Sequence, residues 1–187
     1  MPTASTAPTL TLANGVKIPQ IGLGTWPMDN KEAATTVAAA LNLGYRLIDT
    51  AENYGNEQGV GEGIRNAQVP REDLFITSKF NKQWHSVDGV HQACEQSLKR
   101  LGLDYLDLFL VHWPNPAQNR YTEAFQGLVK LLESGLVRAI GTSNFKAEHL
   151  QKLFNLGLVP QVNQIQLDPY RARTDLVAIH EAKGIIT

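Results

Sequence analysis

The segment DLFITSKFNKQWHSVDGVHQACEQSLKRLGLDYLDLFLVHW, residues 73–113, decides the fold. It opens on an apolar run, LFITSK, and closes on another, YLDLFLVHW. Between them SVDGVHQACEQSLKRLG places apolar residues three or four apart and stops at Gly102, the pattern of an amphipathic helix with a glycine stop. Ser86 is placed to cap that helix. This is strand, helix, strand, with a connection long enough for a right-handed parallel crossover. Strands of a parallel sheet are buried on both faces and should be nearly all apolar. Both runs are, until each ends on an ionisable residue, Lys79 and His112.

The same unit repeats on either side. Apolar runs recur at QIGLGTW, YRLIDTA, LVRAIGTSN, PQVNQIQ and GIIT. Helical stretches lie at NKEAATTVAAALNLG (with Asp29 as its cap), YTEAFQGLVKLLESG, KAEHLQKLFNLG and RTDLVAIHEAKG. We count six strand–helix units and the opening of a seventh strand. Before them TLTLANGVKIPQ carries two alternating runs around Asn14-Gly15, which predicts a tight hairpin. No linker or shift in composition divides residues 1–187, so one domain is expected.

Polar residues close each predicted strand: Thr25, Asp49, Lys79, His112, Ser143-Asn144 and Gln164. Their spacings of 24, 30, 33, 31 and 21 residues are each about one strand–helix unit. They therefore gather at the C-terminal end of one sheet, where ligands bind in α/β barrels and open α/β sheets.

Composition narrows the function. The 187 residues carry a net charge of −1, which gives no long-range attraction to nucleic acid or anionic membranes. No apolar run approaches the roughly 18 residues needed to cross a bilayer. The N-terminal MPTASTAPTLTLANG has neither a basic start nor an apolar core, so no secretory leader is expected. The single cysteine, Cys94, cannot form an internal disulfide and fits a reducing cytoplasm. The five histidines show no metal-ligand spacing, and no metal is expected. GLGTWP imitates a dinucleotide fingerprint at Gly22 and Gly24, with Asp49 where the ribose-binding acid would lie. Pro27 stands in place of the third glycine, and no helix opens directly at Gly24, so the Rossmann reading is set aside.

Taken singly, Asp49 reads as a turn residue, Tyr54 as a half-buried aromatic and His112 as a core histidine. Together with Lys79 they suggest carbonyl chemistry. A phenol with an ordinary pKa near ~10 is a poor acid at neutral pH. An ammonium about 4 Å away attracts its phenolate by roughly 4 kcal/mol at an effective dielectric of ~20, less what desolvation takes back. Asp49 would hold that ammonium, and His112 could donate to a carbonyl oxygen. Trp26 and Trp113, beside strand ends, are candidates for an apolar substrate pocket. A Schiff-base aldolase built on Lys79 and a scaffold with a relic site are the alternatives.

IGLGTW, LIDTAENYGNE, LFITSKF, LGLDYLDLFLVHWP, GLVRAIGTSNF and VPQVNQIQLDPY, in that order, resemble the aldo-keto reductase family, with wording similar to bacterial 2,5-diketo-D-gluconate reductase-like members. The resemblance implies a (β/α)8 TIM barrel whose bottom is closed by the hairpin at residues 8–19. It implies NADPH-dependent reduction of an aldehyde or ketone, with Tyr54 as general acid, Lys79 and Asp49 tuning it, and His112 orienting the carbonyl. Ser143, Asn144 and Gln164 match positions that hold the nicotinamide carboxamide, Gly24 and Thr25 the loop near its ribose, and Trp26 and Trp113 the substrate pocket. The family pattern implies a monomer when full length. It also implies units seven and eight, which this sequence lacks, so an incomplete barrel is expected. With those units go the family's aromatic that stacks on the nicotinamide and its basic 2′-phosphate segment, so the sequence is expected to carry the full tetrad but to bind NADPH weakly by itself, as a catalytically weak or inactive fragment.

Overall fold

The computed structural model describes residues 8–187; the first seven residues of the leader reading lie outside them. Strands β1 (Thr9–Thr11) and β2 (Lys17–Pro19) form the expected antiparallel hairpin. Its turn uses Gly15 at φ +87°, a conformation that costs glycine little. Six parallel strands follow in sequence order: β3 (Gly22–Gly24), β4 (Leu47–Asp49), β5 (Phe75–Phe80), β6 (Leu106–Val111), β7 (Val137–Ser143) and β8 (Val162–Gln164). Each is followed by a helix: α1 (Asn30–Asn42), α2 (Glu57–Ala67), α3 (Val87–Leu101), α4 (Tyr121–Ser134), α5 (Ala147–Phe154) and α6 (Thr174–Lys183). A seventh strand begins where Ile186 bridges Val162 in parallel. The sheet thus has the order of a (β/α)8 barrel with six strands in place and the seventh started.

Local chemistry sets the boundaries. Asp29 and Glu32 form a reciprocal capping box at α1, and Ser86 Oγ accepts from the Gly89 amide at 3.0 Å. Helices α3, α4 and α6 each stop at a left-handed glycine, Gly102, Gly135 and Gly184.

The period of two along each strand separates two cores. Ile48, Ile76, Phe80, Phe109, Val111 and Ile140 face outward and pack with the helices. Phe75, Leu108, Leu110, Ala139 and Val162 form a second cluster, with Leu47 and Ile186 packed on it. Leu12 of the hairpin joins this inner cluster and is 2% exposed, which puts the hairpin against the barrel interior. Asn14 adds a hydrogen bond from Nδ2 to the Arg138 carbonyl at 2.9 Å.

Candidate active site

In β4 to β8 the inner ladder of each strand ends on a polar residue at the C-terminal rim. Leu47 leads to Asp49, Phe75 and Thr77 to Lys79, Leu108 and Leu110 to His112, Gly141 to Ser143, and Val162 to Gln164. The register Asp49↔Thr77 places Lys79 one inward step above the carboxylate. The spacing inferred from sequence therefore becomes contact in space.

Lys79 is 1% exposed, and its ammonium has three partners. Nζ lies 2.7 Å from Asp49 Oδ2 and donates to the Thr50 carbonyl at 3.0 Å and to Tyr54 Oη at 3.4 Å. A buried ammonium is tolerable only with such a set. A carbonyl carbon reaching Lys79 Nζ would have to displace one of these three partners. Asp49 is held from its other side by Gln164 Nε2 at 3.2 Å, across the open interior.

Tyr54 ends a one-turn 3-10 segment, Glu52–Tyr54, closed by Gly55 at φ +69°. Its ring centroid lies 5.2 Å from Trp26 and 5.8 Å, edge-on, from His112. His112 is 6% exposed. Burial, with the Lys79 ammonium adding to it, pushes its imidazole down to about 4. The ring is therefore neutral at pH 7. Nδ1 is buried without a hydrogen-bond partner among the described residues. A proton on Nε2 avoids an orphaned N–H at Nδ1 and leaves a donor for an incoming oxygen.

Thr25 donates through Oγ1 to the Asp49 carbonyl at 3.2 Å, and Gly24 is in register with Asp49. Asn144 sits at φ +62° and donates from Nδ2 to the His112 carbonyl and to Ser143 Oγ, each at 3.1 Å. Ser143 Oγ lies 3.2 Å from the Gln164 carbonyl. Ser143, Asn144 and Gln164 thus form one polar ledge beside the tetrad. Trp26 and Trp113 are 64% and 55% exposed, flanking Tyr54 and His112 at the mouth. Below them the interior forms a cavity of ≈ 540 Å³ that reaches Gly24, Asp49 and Gln164. Between Gly24 and α1 lies the loop 25–29 and no helix start, so GLGTWP makes no dinucleotide turn.

Two residues of the site escape single-residue reading. Asn56 is 0% exposed. It accepts from Thr50 Oγ1 at 2.8 Å and donates to the Thr25 and Met28 carbonyls, each at 2.9 Å. It fastens the Tyr54 turn to the Trp26 loop. Glu57 is 2% exposed and accepts from Ser78 Oγ and Arg100 Nε, both at 2.6 Å. The sequence signal for both was their place in LIDTAENYGNE, as the last two residues of the pattern D-T-A-x-x-Y-x-N-E. Among the described residues no cluster of His, Cys, Asp and Glu is arranged to hold a metal ion. No helix of the described residues is long and apolar enough to cross a membrane.

Residues 20–187 match the family model described as Aldo/keto reductase family. The chain is 44% identical to an aldo-keto reductase of Mycolicibacterium smegmatis, over 97% of this chain and 66% of that protein. It is 44% identical to a morphine 6-dehydrogenase of Pseudomonas putida, over 98% of this chain and 62% of that one. It is 45% identical to methylglyoxal reductase DkgA of Escherichia coli K12, over 94% of this chain and 64% of the relative. Among solved structures, an aldo/keto reductase from Brucella melitensis superposes with a TM-score of 0.92 at 41% identity, covering 96% of this chain and 71% of the other. A Bombyx mori aldo-keto reductase in complex with NADP gives 0.90 at 38% identity, covering 97% and 65%. The chain spans about two thirds of the length of these relatives.

Proposed function

The chain belongs to the aldo/keto reductase family, and on that footing we propose that it reduces an aldehyde or ketone to an alcohol with NADPH. The observation that carries the proposal is the chain of contacts from Asp49 through Lys79 to Tyr54, with neutral His112 beside the phenol.

The residues suit the cofactor. Carboxamide recognition needs mixed donors and acceptors, and the ledge of Ser143, Asn144 and Gln164 presents a hydroxyl and two amides at one rim. These three would hold the nicotinamide carboxamide, with Gly24 and Thr25 near its ribose, and the chemistry that NADPH would supply there is hydride for the carbonyl carbon. Tyr54 gives its hydroxyl proton to the carbonyl oxygen as negative charge develops. Lys79 stabilises the phenolate left behind, and Asp49 keeps that ammonium charged and in place. His112 donates a hydrogen bond to the same oxygen, the task of a preorganised electrostatic donor. Trp26 and Trp113 form apolar walls for the rest of the substrate. The named substrates of the relatives, methylglyoxal and morphine, differ widely in size. That difference supports a substrate choice made outside Asp49, Tyr54, Lys79 and His112.

The test is aldehyde-dependent oxidation of NADPH by the purified chain. Turnover supports the reading. A borohydride-trapped adduct on Lys79 without NADPH oxidation would favour the aldolase and defeat it.

A further inference from the structure

The turn that carries Tyr54 has a second anchor. A single 3-10 turn is too short to hold its own shape. Asn56 fixes it on the buried side. On the other side the Glu52 carboxylate accepts three hydrogen bonds from one loop. Oε2 accepts from the Asn81 backbone N–H at 3.2 Å. Oε1 accepts from Trp84 Nε1 at 2.8 Å and from Gln83 Nε2 at 3.2 Å. That loop leaves β5 two residues after Lys79. Glu52 therefore connects the turn bearing the phenol to the segment continuing from the ammonium. The same loop, through Asn81, Lys82 and Gln83, walls a cavity of ≈ 630 Å³ whose other side includes Trp113 and Asn144.

We propose that Glu52 is a positioning residue for Tyr54: by locking turn 52–54 onto loop 81–84 it fixes the phenol relative to Lys79. Its consequence for catalysis rests on Tyr54 being the proton donor. Three donors divided between two oxygens need a carboxylate. Glutamine offers one acceptor oxygen and sets an NH2 against the remaining donors, so Glu52→Gln should fall between parent and Glu52→Ala.

The experiment is amide hydrogen exchange on the whole chain, comparing parent, Glu52→Gln and Glu52→Ala. The Tyr54 amide donates to the Ala51 carbonyl and the Gly55 amide to that of Glu52, so these two report on the turn itself. We expect both to exchange about tenfold or more faster in Glu52→Ala, since local opening governs exchange. The Trp84 indole N–H resonance should shift with them. Faster exchange confined to residues 81–84, with Tyr54 and Gly55 still protected, would overturn the proposal. If Glu52→Ala fails to fold, Glu52→Gln and Trp84→Phe, which remove fewer bonds, must show the same effect at Tyr54 and Gly55 in smaller degree. In turnover, Glu52→Ala should lower kcat while leaving NADPH affinity unchanged; an unchanged kcat would also overturn it. A parent chain without turnover counts against the proposed reaction, and the exchange result still decides the place of Glu52.

Discussion

At Lys79 an ammonium with 1% exposure is held by one carboxylate, one carbonyl and one phenol. Removing one partner from a buried pair leaves the other charge uncompensated, at a cost of about 3–5 kcal/mol. Asp49 is 19% exposed, so water recovers part of that cost. Lys79→Met should therefore destabilise by roughly 3 kcal/mol, measured by urea unfolding. Asp49→Asn should also destabilise, because it removes the negative charge facing the ammonium. A Lys79→Met chain as stable as its parent would contradict the pairing. This pair was legible in the sequence because a lysine ending an apolar strand has to meet solvent or a carboxylate. Asn56 was not. Its amide is satisfied by Thr50 and by two carbonyls of the loop 25–29, segments that converge only in the fold, and asparagine in a polar loop carries no mark of burial.

Helix α2 shows what hides an element. Its sequence, EQGVGEGIRNA, holds three glycines, poor helix formers that blur the apolar period. They are there for close approach. A Cβ on Gly59 would strike the Asn30 carbonyl, one on Gly61 the Leu101 carbonyl, and one on Gly63 would crowd Ala34 and Val37. The helix is thus wedged between α1 and the end of α3, against backbone that cannot swing aside. Gly61→Ala should cost about 1–3 kcal/mol by overpacking, although alanine is the better helix former. Thermal denaturation measures it, and a rise in Tm would refute the wedge. The strands were more legible, because continuous apolar runs ending on polar residues are what a parallel barrel requires. Their exact lengths were not: β3, β4 and β8 are three residues each, shorter than their apolar runs.

Across the whole molecule, buried histidines make stability depend on pH. His85 and His112 are each pushed down to about 4, chiefly by burial, and His149 and His180 are lowered for the same reason. The unfolded imidazoles bind protons near 6.5 while the folded ones resist until about 4. The unfolded chain gains more protons in that window, so stability falls as pH drops from 6.5 toward 4, while the histidine contribution is nearly flat above 7. Urea midpoints at pH 7.5, 6.5 and 5.5 should decline in that order; a midpoint independent of pH would contradict the burial. The overall architecture followed from the repeat of strand and helix. The role of the open rim came from the period of two, which aims Asp49, Lys79, His112, Ser143 and Gln164 into the interior, whereas Thr25 follows the outward parity of Leu23 and is buried against the Asp49 carbonyl. The most direct test of the account compares this chain with its Tyr54→Phe variant in aldehyde-dependent NADPH oxidation at saturating NADPH, with NADPH binding followed by fluorescence. The account predicts unchanged binding and a rate lower by about 10²–10⁴-fold, the usual worth of a positioned general acid; equal rates in the two chains, or no oxidation by either, would contradict it.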